Sequence, residues 1–304
     1  MSVLVLGAGP VGAGVTQSFQ RRGQEVTVGT RSGTSLPGAT AVRLDASDAE
    51  ALTRAAAGSS TIVVCTNPPY HRWRTEWPPI VNAVIRAASA TDARVVMFGN
   101  LYSYGKAQMP MTERSPEHPA ESKGEVRRDL WARLREATER GDVQAVEVRA
   151  SDYFGPGATA DAHLGTRFFQ PILAGKRSWA IGDPALPHSW AYLPDIADTV
   201  VAAAGYTGNW GRIWHVPAAS GSSRTAICRE INERYGVRGS VSGLPSALLR
   251  GVGVFNPVLR EVAKSSYQFR MPFLSDAAET ERDLGVSATP WETALDATVA
   301  FYRA

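Results

Sequence analysis

The sequence predicts an α/β fold, a doubly wound parallel sheet with a smaller C-terminal lobe. Three observations carry that prediction. Short apolar, strand-like runs recur at residues 3–6, 25–28, 41–44, 61–65, 94–98 and 145–148. Helical patterns fill the intervals, and strand-helix alternation of this kind places parallel strands side by side with helices on both faces. After Arg149 the pattern loosens into loops rich in glycine, proline and aromatics, then tightens again at 190–205 and 212–216. That change marks a second lobe grafted onto the carboxyl ends of the strands, with two segments returning to the first.

The first unit is the most informative. Val3-Leu4-Val5-Leu6 runs straight into Gly7-Ala8-Gly9-Pro10-Val11-Gly12, a G-x-G-x-x-G turn, and Val11, Val15 and Phe19 then follow at helical spacing. Gly7 permits the tight turn, Gly9 lets the backbone approach a pyrophosphate, and Gly12 lets the helix pack close on the sheet with its N-terminus aimed at the phosphates. Strand, glycine turn, helix and second strand together predict a Rossmann-type dinucleotide site that includes Pro10 and Val11 at the head of the helix. The second strand ends in Val28-Gly29-Thr30-Arg31-Ser32. NAD-preferring sites place a carboxylate there, about 20 residues past the glycines, to hold the ribose hydroxyls. No acid is present, whereas Arg31 can pair with a 2′-phosphate, helped by the hydroxyls of Thr30 and Ser32. The expected cofactor is therefore NADP(H), with NAD(H) as the alternative if Arg31 is only a solvated loop cation.

Ligands on such sheets bind beyond the carboxyl ends of the strands. The segments to watch are thus 7–12, 29–32, 45–46, 66–70, 99–105 and 149–157. The expected dinucleotide-binding domain spans 1–150 with returning segments near 190–217, leaving 151–189 and 218–304 for a substrate lobe. Composition narrows the partners. With 32 basic against 29 acidic residues and a formal net charge of +3, and with no run of like charges, nucleic acid and membrane surfaces are not expected partners. Cys65 and Cys228 suit neither a disulfide framework nor a metal site, which points to a cytoplasmic protein. No stretch reaches the roughly 18 apolar residues of a membrane span. The five histidines lack metal-ligand spacing, so no metal is expected.

Taken in order, the post-strand motifs resemble the extended short-chain dehydrogenase/reductase superfamily of NAD(P)-dependent epimerases, dehydratases and reductases. The carriers are the glycine turn; Leu44-Asp45 after the third strand; Asn100-Leu101-Tyr102-Ser103-Tyr104-Gly105, similar to S-x-x-V-Y-G; Arg149 to Gly157, similar to R-x-x-x-x-Y-G-P-G; and Ser189 to Ala197, similar to the V-x-D-V-A returning helix. The resemblance implies that Asp45 meets the adenine and that Thr66 and Asn67 run beneath the cofactor. It also implies a catalytic Tyr-x-x-x-Lys pair and a Ser or Thr at the end of the fifth strand. Here the sequence departs: Lys123 matches the lysine, but the tyrosine position is Pro119 and the Ser/Thr position is Asn100. The chain therefore resembles the atypical members.

Lys123 lies on one stripe with Val126, Leu130, Leu134 and Ala137, so it is expected on the buried helix face as an anchor for the nicotinamide ribose. In the sugar-nucleotide dehydratases of the superfamily the residue two before the Tyr-Gly pair is an active-site acid, and that position is Tyr102. The expected roles are Tyr102 as acid/base and Asn100 as the donor that orients a substrate oxygen, both on one side of an extended strand end. The alternative makes Tyr102 and Tyr104 packing aromatics. Tyr70, Tyr153, His188 and Trp190 are the expected substrate contacts, His188 standing where many relatives carry an arginine. His163 and His215 are expected to be structural, and Asp195 to cap the helix beside it.

These residues support an NADP-dependent oxidoreductase acting on a carbonyl or alcohol of a small organic molecule. Two readings stay open beside it: an epimerase or dehydratase whose cofactor cycles internally, and a regulator that senses NADP(H) without turnover. The resemblance implies a homodimer through the helices after the fourth and fifth strands, with the 126–134 stripe fully used in packing on the sheet as the open alternative.

Overall fold

The computed structural model describes residues 2–244 and 264–304, so part of the expected substrate lobe lies outside the described residues. Seven strands form the main sheet: β1 (Ser2–Leu6), β2 (Glu25–Thr30), β3 (Thr40–Arg43), β4 (Ser59–Val64), β5 (Arg94–Asn100), β6 (Ala145–Ala150) and β10 (Ile213–His215), in the order β10-β6-β5-β4-β1-β2-β3. Every pair is parallel. The chain leaves β1 towards β2 and β3 and returns on its other side through β4, so a crevice opens at the carboxyl ends of β1 and β4.

Period-two alternation explains both faces. Leu4, Leu6, Ile62 and Val64 pack beneath α2 (Ala49–Ala56), α3 (Trp73–Thr91) and α4 (Ser122–Glu139). Val3, Val5, Val63 and Val96 face α1 (Pro10–Arg21) and α6 (Leu193–Ala204), which pack on each other. With both faces covered, the strands read as continuous apolar runs. Gly14 of α1 faces Ala197 of α6, whose Cβ a side chain at position 14 would touch.

The second lobe is built from short pieces. β7 (Asp152–Phe154) pairs with β9 (Trp190–Tyr192), and β8 (Arg177–Ala180) pairs with β11 (Ser240–Gly243), each as a separate two-stranded parallel ribbon. α5 (Thr166–Leu173), α7 (Arg224–Tyr235) and α9 (Trp291–Arg303) close an aromatic core of Phe154, Phe168, Phe169, Trp190 and Phe269. α8 (Ala278–Leu284) lies against β10. Of the returning segments, α6 and β10 join the main sheet's layers, while β9 stays with the small lobe.

Asp195 does not cap its helix. The cap position is Tyr192, and the Asp195 carboxylate instead accepts from Thr289 N at 2.8 Å and Thr289 Oγ1 at 2.6 Å, tying the C-terminal segment to α6.

Candidate active site

A cavity of about 1850 Å³ follows the carboxyl ends of the strands from Gly7 to Phe273. Its first end is a dinucleotide cradle. Gly7 sits at φ 108°, and a side chain there would meet Thr66 N at 2.8 Å. A Cβ on Gly12 would collide with the Gly7 carbonyl, whereas nothing lies within 4 Å of the place a Gly9 side chain would take. That open space is where a pyrophosphate could approach the backbone. Pro10 starts α1 with no side-chain cap and no acid in its first turn, so the amides of a positive helix end are left for an anion. The cradle therefore fits the phosphates of a dinucleotide. Gly7, Gly9, Pro10 and Val11 line the cavity, while Gly12 supports the turn from behind.

At the end of β2, Thr30, Arg31 and Ser32 all line the same groove. Thr30 Oγ1 accepts from Thr34 N at 2.8 Å, and the Ser32 and Thr34 hydroxyls are 2.7 Å apart. The Arg31 side chain is 66 % exposed and 3.9 Å from Glu76 of α3, a loose pairing that leaves the guanidinium accessible. Asp45 accepts from Ser47 N and Oγ at 2.9 and 2.7 Å, and these bonds hold its carboxyl below the ordinary range. Thr66 and Asn67 line the cavity under the crevice.

The middle of the cavity departs from the sequence expectation in one respect. β5 ends at Asn100, and the chain turns at once into a single 3-10 turn, Tyr102–Tyr104. Alternation therefore does not place Asn100 and Tyr102 on a common strand face; the turn does. Asn100 Oδ1 accepts from Tyr102 N at 3.1 Å, which fixes the amide and leaves its NH2 for a ligand. Tyr102 is stacked on Trp73, ring centroids 6.4 Å apart, and Tyr70 meets the same indole edge-on. Burial pushes the Tyr102 phenol well above its usual value, so at neutral pH it is a proton donor and not a base. Tyr104 is wholly buried, bonded at 2.8 Å to His215 Nε2, and is a packing aromatic.

Lys123 is 1 % exposed, but it stands behind the cavity wall. Its ammonium is 2.9 Å from Glu121 Oε2 and lies 5.5 Å from the Tyr70 ring centroid. Glu121 also caps α4, accepting from the backbone of Lys123 and Gly124. The cost of a cation in a helical first turn is thus offset by a carboxylate at the cap. That carboxylate was not singled out in the sequence, although Glu at the start of a helix followed by a buried lysine is the pattern that could have marked it.

The far end holds Asp152, His163, Arg224 and Tyr153. His163 is at the cavity and not, as expected, in the structural core. Its Nε2 is 4.0 Å from Asp152 Oδ1, and burial lowers its pKa to about 4 against the pull of that carboxylate. Burial pushes the Tyr153 phenol up to about 12. His188 and Trp190, expected substrate contacts, are second-layer groups. The His188 ring packs on Trp190, Phe269 and Phe273 and bonds Asp152 Oδ2 at 2.7 Å, while Trp190 is 0 % exposed with its indole N–H given to Ser222 O. Both side chains orient the residues that do line the cavity. His215 is buried as expected, between Tyr104 and the Asp276 carbonyl.

The comparisons with known proteins agree with this geometry. The model of the NAD dependent epimerase/dehydratase family matches residues 3–216. The chain belongs to that family. A nicotinamide dinucleotide is therefore its cofactor, and it is an NAD(P)-dependent enzyme. Among solved structures, MoeE5 in complex with UDP-glucose and NAD superposes with a TM-score of 0.80 at 18 % identity, covering 100 % of this chain and 99 % of MoeE5. UDP-glucose 4-epimerase from Thermotoga maritima gives 0.80 at 16 %, with coverage of 100 % and 99 %. DesIV, a dTDP-glucose 4,6-dehydratase from Streptomyces venezuelae, gives 0.77 at 18 %, with coverage of 100 % and 97 %. At such identities the likeness is one of fold. A comparison with curated protein sequences gave no match.

Proposed function

We propose that this family member is an NADP-dependent oxidoreductase that reduces a carbonyl, or oxidises an alcohol, on a small organic molecule. The observation that carries the reading is continuity: the dinucleotide cradle at Gly7–Gly12 opens without a break into a cavity walled by Asn100, Tyr102 and Tyr70. When bound, the cofactor supplies or accepts a hydride at the substrate carbon. The amides of the first turn of α1 hold its pyrophosphate, Asp45 takes the adenine, and Thr66 and Asn67 support the nicotinamide half. Arg31, with Thr30 and Ser32, holds a 2′-phosphate, since no carboxylate ends β2 to claim the ribose hydroxyls.

The chain's own groups manage the proton. A phenol held neutral by burial donates to the substrate oxygen, and the free NH2 of Asn100 orients that oxygen. Lys123 supports the phenols from behind the wall, so its expected contact with the ribose is not part of this reading.

A second reading, an epimerase or dehydratase with an internally cycling cofactor, is favoured by one observation. His163 and Asp152 face each other at 4.0 Å in the cavity wall, a second pair of proton-carrying groups that a simple reductase does not need. The superposed structures with UDP-sugars or dTDP-sugar activities lean the same way.

Binding of NADPH, NADP, NADH and NAD to the purified protein, followed by calorimetry or by tryptophan quenching, tests the first step. Micromolar affinity confined to the phosphorylated pair is the expected result, and equal or better affinity for NADH would remove the NADP assignment. Cofactor that copurifies and exchanges with no added carbonyl or alcohol would transfer the reading to internal cycling.

A further inference from the structure

The geometry points to Tyr70, not Tyr102, as the phenol that passes its proton to the substrate oxygen, with Lys123 beneath its ring. This rests on the oxidoreductase reading and assigns its acid. The position four before Lys123 is Pro119, which has no proton to give. A phenol nevertheless reaches the lysine from another part of the chain. Tyr70 opens the 3-10 turn Tyr70–Arg72 that follows β4, on the stiff Pro68-Pro69 segment, and its ring is braced edge-on by Trp73 at 5.1 Å. The Lys123 ammonium is 5.5 Å from the ring centroid. A tyrosine and a lysine are thereby juxtaposed without sharing a helix.

Both phenols line the cavity and pack on Trp73, but their places differ. Burial raises both phenols, while the interaction between them favours the ionised form of Tyr70 and disfavours that of Tyr102, so Tyr70 is the one placed to give its proton to the cavity it lines. Exposure agrees, since Tyr102 is 9 % exposed and counts as buried whereas Tyr70 is only partly buried. In carbonyl reduction the Tyr70 O–H bond breaks and an O–H bond forms on the substrate oxygen. The electron pair stays on Tyr70 as phenolate, favoured by the neighbouring Tyr102 phenol and by the ammonium 5.5 Å from the ring centroid, until water in the cavity returns the proton. Alcohol oxidation runs the same step backwards. Tyr102 is a positioning residue on this account, clamped by Trp73, over which the Arg127 guanidinium also stacks at 4.7 Å.

Fluorine NMR of the NADP-saturated protein labelled with 3-fluorotyrosine reads the coupling without any substrate. The Tyr70 signal is assigned by its loss in Tyr70→Phe. Its ionisation is expected to move to higher pH in Tyr102→Phe and again in Lys123→Met; Tyr102→Phe, which removes one oxygen, serves if the lysine variant does not fold. A Tyr70 signal indifferent to Tyr102→Phe overturns the relay. Turnover of a panel of simple aldehydes and ketones with NADPH completes the test. Tyr70→Phe should fall about 100-fold or more with unchanged NADPH affinity, and Tyr102→Phe about tenfold. Full activity in Tyr70→Phe overturns the role of Tyr70 alone, whereas a wild type that turns over no carbonyl removes the oxidoreductase reading and the role with it.

Discussion

Glu147 occupies the space that a side chain on Gly99 would need. The two residues are diagonal neighbours on adjacent strands, Gly99 of β5 standing opposite Arg149 and Glu147 of β6 opposite Met97. Glu147 is 1 % exposed and accepts from Arg149 Nε at 2.7 Å; Arg149 in turn reaches Glu117 Oε1 at 2.6 Å. Arg127 adds a second buried guanidinium, donating to Phe98 O at 3.2 Å and stacked on Trp73 and Trp77. Burial raises Glu147 against the pull of Arg149 and lowers Arg127 to about 10. The strand end that presents Asn100 is thus pinned by buried charges, which hold geometry tightly because losing any partner leaves an uncompensated ion.

Gly99→Ala should destabilise the fold by about 1–3 kcal/mol, the usual cost of forcing atoms into a filled core. The cost should nearly vanish in a Glu147→Ala background, where the clashing carboxylate is gone. Thermal or urea unfolding of the two singles and the double gives the coupling directly. Additive losses would show that the glycine is needed for some reason other than Glu147.

Gly12→Val should leave the protein folded enough to keep its near-ultraviolet spectrum but lose dinucleotide affinity by tenfold or more, about 1.4 kcal/mol. The added side chain pushes on the Gly7 carbonyl and opens the turn that shapes the phosphate cradle. Titration of wild type and variant with NADPH checks it. Equal affinities would move the pyrophosphate away from this turn.

Arg31→Asp should reverse cofactor preference. Removing a charge-assisted bond to a 2′-phosphate costs about 1.5–3 kcal/mol, and the new carboxylate repels the phosphate while offering the ribose hydroxyls an acceptor. Affinities for NADPH and NADH should therefore move in opposite directions. Discrimination that survives the substitution would mean that Arg31 is, after all, a solvated cation paired with Glu76.

What the sequence revealed and what it hid divide along physical lines. β1, β4 and β5 were legible because a strand buried on both faces is a continuous apolar run, and the glycine turn because each glycine answers a steric demand. Asn100 and Tyr102 both line the cavity, but strand alternation does not put them there, since it holds only while the backbone stays extended and the strand ends at Asn100. Glu147, Arg149 and Arg127 were illegible as a network, because a charged residue in a strand or helix reads as a solvent-facing one until its partner is placed. His163 reads as structural for a related cause: its loop becomes a cavity wall only when Leu164 is bridged to Phe154 of β7. His188 and Trp190 were assigned to the substrate because their segment borders the crevice; their rings point into the aromatic core behind it.

Two histidines give the stability a predictable dependence on pH. Burial lowers His163 to about 4 and His215 to about 3, against an ordinary value of 6.5 in the unfolded chain. Between these limits the unfolded chain binds more protons than the native one, so stability rises with pH through this window and is lost on acidification below about 6.5. Each buried imidazole costs about 1.4 kcal/mol per pH unit there, so the pair can remove on the order of 4 kcal/mol between pH 6.5 and 5. Glu147, raised by burial, acts with the opposite sign above 4.5, and Asp152, lowered, acts only below 3.8. The comparison must therefore be between wild type and a variant in which these carboxylates are unchanged. His163→Asn removes one titration, and its stability measured by urea unfolding should fall less steeply with acid than that of the wild type. Parallel curves from pH 6.5 to 4 would mean that burial does not hold His163 neutral beside Asp152.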